Sequence, residues 1–293
     1  MSSLLQQIGN TPIIDISALQ SNPKIKIWAK LEGNNPGGSV KDRAAYNMIK
    51  SALERGEIGV EDHLVEATSG NTGIALAMIA SLFKLSITLV MPETATIERI
   101  KTMKAYGANV VLTAADVGIE GARDKAIEFV QKKGYKGLNQ FSNPDNWKAH
   151  YKTTGPEIWK DTEGQVSHFV SAMGTTGTIM GTSTYLKEKK HEIQIIGVQP
   201  CDGSKIPGIR KWSEDYLPAI FDSAKIDSII EVSAEEAKAT SQLLAKELGI
   251  FAGMSSGGAV SAVLNLAKGL SKATIVTVLC DRGDRYLSSD LFD

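Results

Sequence analysis

"HLVEATSGNTGIALAMIASLFKLSITLVM", residues 63–91, decides the fold class. Residues 63–67 form a short apolar run suited to a strand, and residues 86–91 form a second, rich in β-branched side chains. Between them a Gly/Ser/Thr cluster, EATSGNTG at 66–73, opens a helical pattern over 71–83. The apolar stretch at 74–83 is too short and too periodic to cross a bilayer. A strand, a helix and a strand in succession point to an α/β protein with mostly parallel sheets.

The alternation continues outward. Strands are expected at 25–31, 109–113, 167–171, 193–198 and 274–279, and helices at 39–55, 96–106, 119–133, 176–190, 233–248 and 257–268. Two stretches break the pattern. Residues 135–147 read as a domain junction, and residues 200–224, with DGS, PG, a Trp and LP, read as a long functional loop. The 293 residues predict two domains at roughly 150 residues each. A hydrophobic fraction of 42% and a charged fraction of 22% are ordinary for a soluble globular chain. A net charge of -1 gives no footprint for nucleic acid or an anionic membrane. The two cysteines, Cys201 and Cys280, stand in unrelated contexts and imply no disulfide framework. The opening MSSLLQQIGNTP has no basic region and no long apolar core, so a cytoplasmic location is expected.

The strand–cluster–helix pattern recurs at SAMGTTGT (171–178) and GMSSGGA (253–259). Free N–H groups at a helix start, joined by hydroxyls, bind anions, and glycine lets the backbone approach closely. One such junction is common packing; three suggest a ligand with more than one anionic group. A different feature lies in NNPGGSVKDRAA, residues 34–45. From a Ser39 N-cap, Ala44, Ala45, Met48, Ile49, Ala52 and Leu53 form an apolar stripe, and Lys41 projects from the same face while Asp42 and Arg43 point elsewhere. Inward direction at a helix start, where the dipole opposes a cation, suits a lysine used as an amine nucleophile. Most lysines at a helix end simply snorkel to water, and on this stretch alone that ordinary reading is favoured.

Rival chemistries can be tested on the residues. There is no Gly-Lys dipeptide for a Walker A loop and no G-x-G-x-x-G for a dinucleotide. Residues 253–257 (GMSSG) match a serine-hydrolase elbow with Ser255 as nucleophile, but that fold needs a later histidine. The histidines are His63, His150, His168 and His191, all before Ser255, and none has metal-ligand spacing. No metal site is expected. An amine nucleophile combined with anion cradles fits a phosphate-bearing aldehyde cofactor, pyridoxal phosphate, bound by Lys41 and anchored by residues 174–178.

At this point the sequence resembles the cysteine synthase (O-acetylserine sulfhydrylase) family of the B-isozyme type, among the fold-type II, tryptophan synthase β-like pyridoxal-phosphate enzymes. The resemblance runs from IGNTP (8–12) to CDRGDRYLS (280–288) through KLEGNNPGGSVKDRA, EATSGNTGIALAMIA, AHYKTTGPEIW, MGTTGTIMG, IPGIRKW and GMSSGGA. It implies two α/β domains with mostly parallel twisted sheets, residues 1–12 with 36–145 and 13–35 with 146–293. Lys41 resembles the Schiff-base lysine and proton-transfer base. Asn71 resembles the partner of the cofactor's phenolic oxygen. Gly174, Thr175, Thr176, Gly177 and Thr178 resemble the phosphate cradle, and Ser255 the neutral partner of the pyridine nitrogen. Thr68, Ser69, Thr72 and Gln140 resemble the substrate-carboxylate site. Arg210 and Lys211 supply charge for an anionic sulfur donor. The implied reaction is β-replacement on O-acetyl-L-serine by sulfide, giving L-cysteine and acetate, or by thiosulfate, giving S-sulfocysteine. The alternatives are a cystathionine or lanthionine synthase using a thiol amino acid, and a catalytically silent binding protein on the same fold. A homodimer acting on small molecules, without nucleic acid or membrane, is implied by the resemblance.

Overall fold

The computed structural model describes residues 4–68 and 70–293. In chain order the strands are β1 (Ile13–Asp15), β2 (Ile25–Leu31), β3 (His63–Ala67), β4 (Ser86–Pro92), β5 (Asn109–Thr113), β6 (Lys136–Gly137), β7 (His168–Ala172), β8 (Gln194–Pro200), β9 (Ser228–Val232) and β10 (Ala273–Leu279). The helices are α1 (Lys41–Glu54), α2 (Asn71–Leu82), α3 (Ile97–Ala105), α4 (Gly118–Lys133), α5 (Pro144–Lys152), α6 (Thr154–Asp161), α7 (Gly177–Lys189), α8 (Ala234–Leu248) and α9 (Met254–Ala267).

The chain divides into two compact units, one of residues 4–8 with 41–146 and one of residues 9–40 with 147–293. The first holds a parallel sheet in the order β5-β4-β3-β6. Alternation along β3 sends Leu64 into a core built with Met48 and Ile49 of α1, Leu76 and Ile79 of α2 and Met103 of α3. It sends Val65 and Ala67 to the opposite face, against Ala122, Ala126 and Phe129 of α4. Helices on both faces are what a parallel sheet requires. Helix α2 is buried on every side from Thr72 to Ala80, so its apolar run is a core helix.

The second unit holds the order β1-β2-β10-β7-β8-β9, parallel throughout except for β1 on β2. One face packs on Ala237 and Leu244 of α8 and Val260 and Val263 of α9. The other packs on Ile158 of α6 and Ile179, Met180 and Leu186 of α7.

Several expectations need correction. Helices α5 and α6 lie where no helical pattern was expected. Pro144 and Pro156 masked them, yet each falls in the first turn of its helix, where a missing N–H costs nothing. Strands β1, β6 and β9 were also unanticipated; β1 and β6 have only three and two residues, whereas β9 carries a β-branched run, SIIEV, on a largely exposed sheet edge. The cluster at 253–259 does not follow a strand. Ala252 makes a single bridge to Arg282, and α9 begins at Met254, three residues before the expected start at 257. Helix α1 begins at Lys41, so Ser39 lies ahead of the capping position, bridged to Asp281. Asp42 and Arg43, expected to point away from the stripe, are buried as well.

Candidate active site

In open α/β sheets ligands bind beyond the carboxyl ends of the strands, where the strand order reverses. In the first unit the chain steps from β3 to β4 and β5 on one side, then returns to β6 on the other. The reversal is flanked by residues 68–71 after β3 and 138–140 after β6. In the second unit the chain steps from β7 to β8 and β9, then returns to β10 on the opposite side of β7. There the flanking segments are 173–176 and 280–282. Each reversal point thus carries a cluster that the sequence singled out.

In the first unit Lys41 and Asn71 are the first residues of α1 and α2, both half-buried. Thr68 is buried. Its N–H donates to the Val90 carbonyl at 2.9 Å, and its hydroxyl accepts the Gly70 N–H at 3.4 Å. Ser69 lies outside the described residues. Thr72 and Gln140, 68 positions apart, meet in the interior, where the Thr72 hydroxyl donates to Gln140 Oε1 at 2.8 Å. The Gln140 amide is oriented by its other end, because Nε2 donates to the Ala67 carbonyl at 3.2 Å. A hydroxyl has one proton and a carboxylate can only accept, so Thr72 spends its side-chain donor on Gln140. What it has left for an anion is its backbone N–H in the first turn of α2. Beneath this pair lies Glu66, which was quoted in the motif but given no role. Burial pushes its carboxyl up to about 7, against the lowering by the backbone N–H groups of Gln140 and Asn139, the Gln140 side-chain amide and the charge of Arg123.

In the second unit Thr176 caps α7 in the left-handed region, with φ at 70°, a conformation uncommon outside glycine. Its hydroxyl oxygen is buried with no partner among the described residues. The first turn of α7 carries no acidic residue. A buried hydroxyl without a partner is costly, and with the free amides of a helix start it forms a donor set fitted to a phosphate. Thr178 Oγ1 lies 3.4 Å from His150 Nε2, and His150 Nδ1 lies 2.9 Å from Thr154 Oγ1. No linear motif marks His150 as functional, since its partner lies 28 positions away.

The loop at 204–212 is fastened to this cradle. Trp212 Nε1 donates to the Gly174 carbonyl at 2.8 Å, and the Arg210 N–H donates to the Met173 carbonyl at 2.8 Å. A Cβ on Gly174 would stand 2.7 Å from the Gly208 carbonyl oxygen, so only glycine fits there. Gly208, with φ at 91°, in turn lies against Ser255; a Cβ on it would stand 3.4 Å from Ser255 Cβ. Ser255 is the second residue of α9 and is buried. Arg210 is exposed. Lys211 is exposed and engaged by Asp202 at 2.7 Å and Glu231 at 2.9 Å, which hold its ammonium above the usual range. Among the described residues no cluster of metal-ligating side chains occurs, and no helix is long and apolar enough to cross a membrane.

Comparison with known proteins gives the same chemistry a family. The chain is 51% identical to cysteine synthase B of Escherichia coli (strain K12) over 292 residues, covering 100% of this chain and 96% of the relative. The crystal structure of a cysteine synthase (OASS) from Entamoeba histolytica superposes with a TM-score of 0.93 at 37% identity, covering 100% of this chain and 90% of that one. An O-acetylserine dependent cystathionine beta-synthase from Helicobacter pylori superposes at 0.92 and 36%, covering 100% and 99%. The family model described as "Pyridoxal-phosphate dependent enzyme" matches residues 4–281, and the chain belongs to that family.

Proposed function

We propose that this enzyme makes L-cysteine from O-acetyl-L-serine and sulfide, with release of acetate. The observation that carries the reading is the cradle opening α7, where the buried Thr176 hydroxyl has no partner among the described residues and acidic side chains are absent from the first turn. The likeness to cysteine synthase B over the full chain supports the choice of substrate. Pyridoxal phosphate, when bound, supplies an aldehyde for covalent attachment and an electron sink for charge developing at the substrate α-carbon.

The residues divide the remaining work. Thr176, Thr178 and the amides of 174–178 hold the phosphate. Lys41 Nζ would supply the amine that carries the cofactor and would take the proton from the substrate α-carbon. Asn71 orients the phenolic oxygen. Ser255 offers the pyridine nitrogen a neutral hydroxyl, which does not fix a proton there and so keeps the electron sink modest. Thr68, Ser69, the Thr72 backbone N–H and Gln140 receive the substrate carboxylate, so that the α-hydrogen is presented to Lys41 and the acetate leaves from the β-carbon. Arg210 favours an anionic sulfur donor such as thiosulfate; Lys211, already neutralised by two carboxylates, adds little. The enzyme works as a homodimer, which light scattering tests.

Initial rates with O-acetylserine, O-phosphoserine and serine, each against sulfide, thiosulfate and homocysteine, test the reading. Cysteine formation from O-acetylserine and sulfide should be fastest. Faster turnover with homocysteine would replace this proposal with a cystathionine synthase.

A further inference from the structure

Beyond β10 the chain runs between two other segments of the second unit. Asp281 pairs with Ser39 on one side and Arg282 pairs with Ala252 on the other, both antiparallel. Backbone bonds extend the pairing. The Val40 N–H donates to the Cys280 carbonyl at 2.8 Å, the Gly253 N–H to the Asp281 carbonyl at 3.2 Å and the Gly283 N–H to the Phe251 carbonyl at 3.0 Å. Residues 280–283 are thus the middle of a three-segment ladder whose outer members are 39–40 and 251–253. The Ser256 hydroxyl accepts the Cys280 N–H at 2.9 Å and ties α9 to the same segment.

A buried side-chain pair braces this ladder. Asp281 is 2% exposed and Tyr286 4%, and the Tyr286 hydroxyl donates to Asp281 Oδ2 at 2.7 Å. Both side chains press on Gly253, the residue that caps α9. A Cβ there would collide with Asp281 Oδ1 and stand 2.5 Å from Tyr286 Cε2. Ser255 follows two residues later, with Gly208 of the 204–212 loop against it. The start of α9 is therefore wedged between the Asp281–Tyr286 pair and the loop fastened to the cradle. A serine side chain is short, so its hydroxyl meets a ring atom only where its backbone is held to within about 0.5 Å. We infer that Tyr286 is a positioning residue: by holding Asp281 it seats the start of α9 so that the Ser255 hydroxyl reaches the pyridine nitrogen of the cofactor. The inference rests on reading Ser255 as the partner of that nitrogen.

The test compares pyridoxal phosphate with 1-deazapyridoxal phosphate, which carries C–H where the ring nitrogen stands. Each is titrated into the full-length apoenzyme and followed by absorbance. Wild type should bind pyridoxal phosphate about fivefold or more tighter than the deaza compound. Tyr286→Phe keeps the ring that packs on Gly253 and loses only the hydroxyl. It should bring that preference to within about twofold, while its affinity for the deaza compound stays within about twofold of wild type. Ser255→Ala should lose the preference by itself, and adding Tyr286→Phe to it should change the preference no further. If Tyr286→Phe does not fold, Tyr286→Phe/Asp281→Leu, in which both members of the pair are apolar, carries the same expectation. An unchanged preference in Tyr286→Phe, or equal losses for the two compounds, would overturn the role of Tyr286. If wild type binds the two alike, or Ser255→Ala keeps the preference, the reading of Ser255 fails first and takes this inference with it.

Discussion

Replacing Glu66 by glutamine removes a buried titration while keeping the side chain's volume. The folded-state carboxyl titrates at about 7 against an ordinary value of 4.5, burial being the main cause. The folded protein thus binds more protons than the unfolded chain between those values, and stability must fall as pH rises through that window. A shift of about 2.5 units at about 1.4 kcal/mol each puts the total near 3 kcal/mol, present below pH 4.5 and gone above pH 7. The variant lacks this slope. Denaturant unfolding of wild type and Glu66→Gln at matched pH values from 4.5 to 8 should show wild type losing about 3 kcal/mol relative to the variant. Parallel profiles would refute the raised titration, and a relative gain for wild type with rising pH would reverse its sign.

Lys41→Ala should leave the fold intact, abolish the borohydride-reducible link to the cofactor and cut turnover by several orders of magnitude; a reducible adduct that survives would exclude the assignment. Ser255→Ala should slow the reaction modestly, whereas Ser255→Asp should promote transamination, read as pyridoxamine phosphate by chromatography. Labelling of Ser255 by an organophosphate would count against its role. Arg210→Ala should reduce the rate with thiosulfate roughly ten- to a hundredfold, the loss of one charge-assisted hydrogen bond of about 1.5–3 kcal/mol. Its rate with sulfide should change far less, and parallel losses would mark the loop as structural.

The two candidate clusters stand out in the sequence because each is local. A strand running into TSGNTG or GTTGT needs only short-range chemistry, and both sit where β3 and β7 end. The strands and helices with strong periodicity were legible for the same reason. What failed was non-local or masked. Lys211 reads as a free cation until Asp202 and Glu231, 9 and 20 positions away, close on it. Glu66 and Thr72 depend on a turn 74 and 68 positions downstream. Trp212 was noted as a loop signal, but its bond to the Gly174 carbonyl spans 38 residues. Pro156 disguised α6 because a proline near a helix start looks like a break in a linear reading.

The fastening of the 204–212 loop divides a long irregular segment into two mechanical regimes. Its front half buries Ile206 and Ile209 and ends on the Trp212 indole bond, so its amides should exchange with solvent slowly. Beyond Trp212 the chain exposes Tyr216 and Leu217, each 46%, and is taken up again at the buried Pro218 and at Asp222, whose N–H lies 3.2 Å from Met180 Sδ. Transplanting a relative's loop to alter nucleophile choice therefore has to carry Gly208 and Trp212 across together, since either alone leaves the seam at Gly174 open.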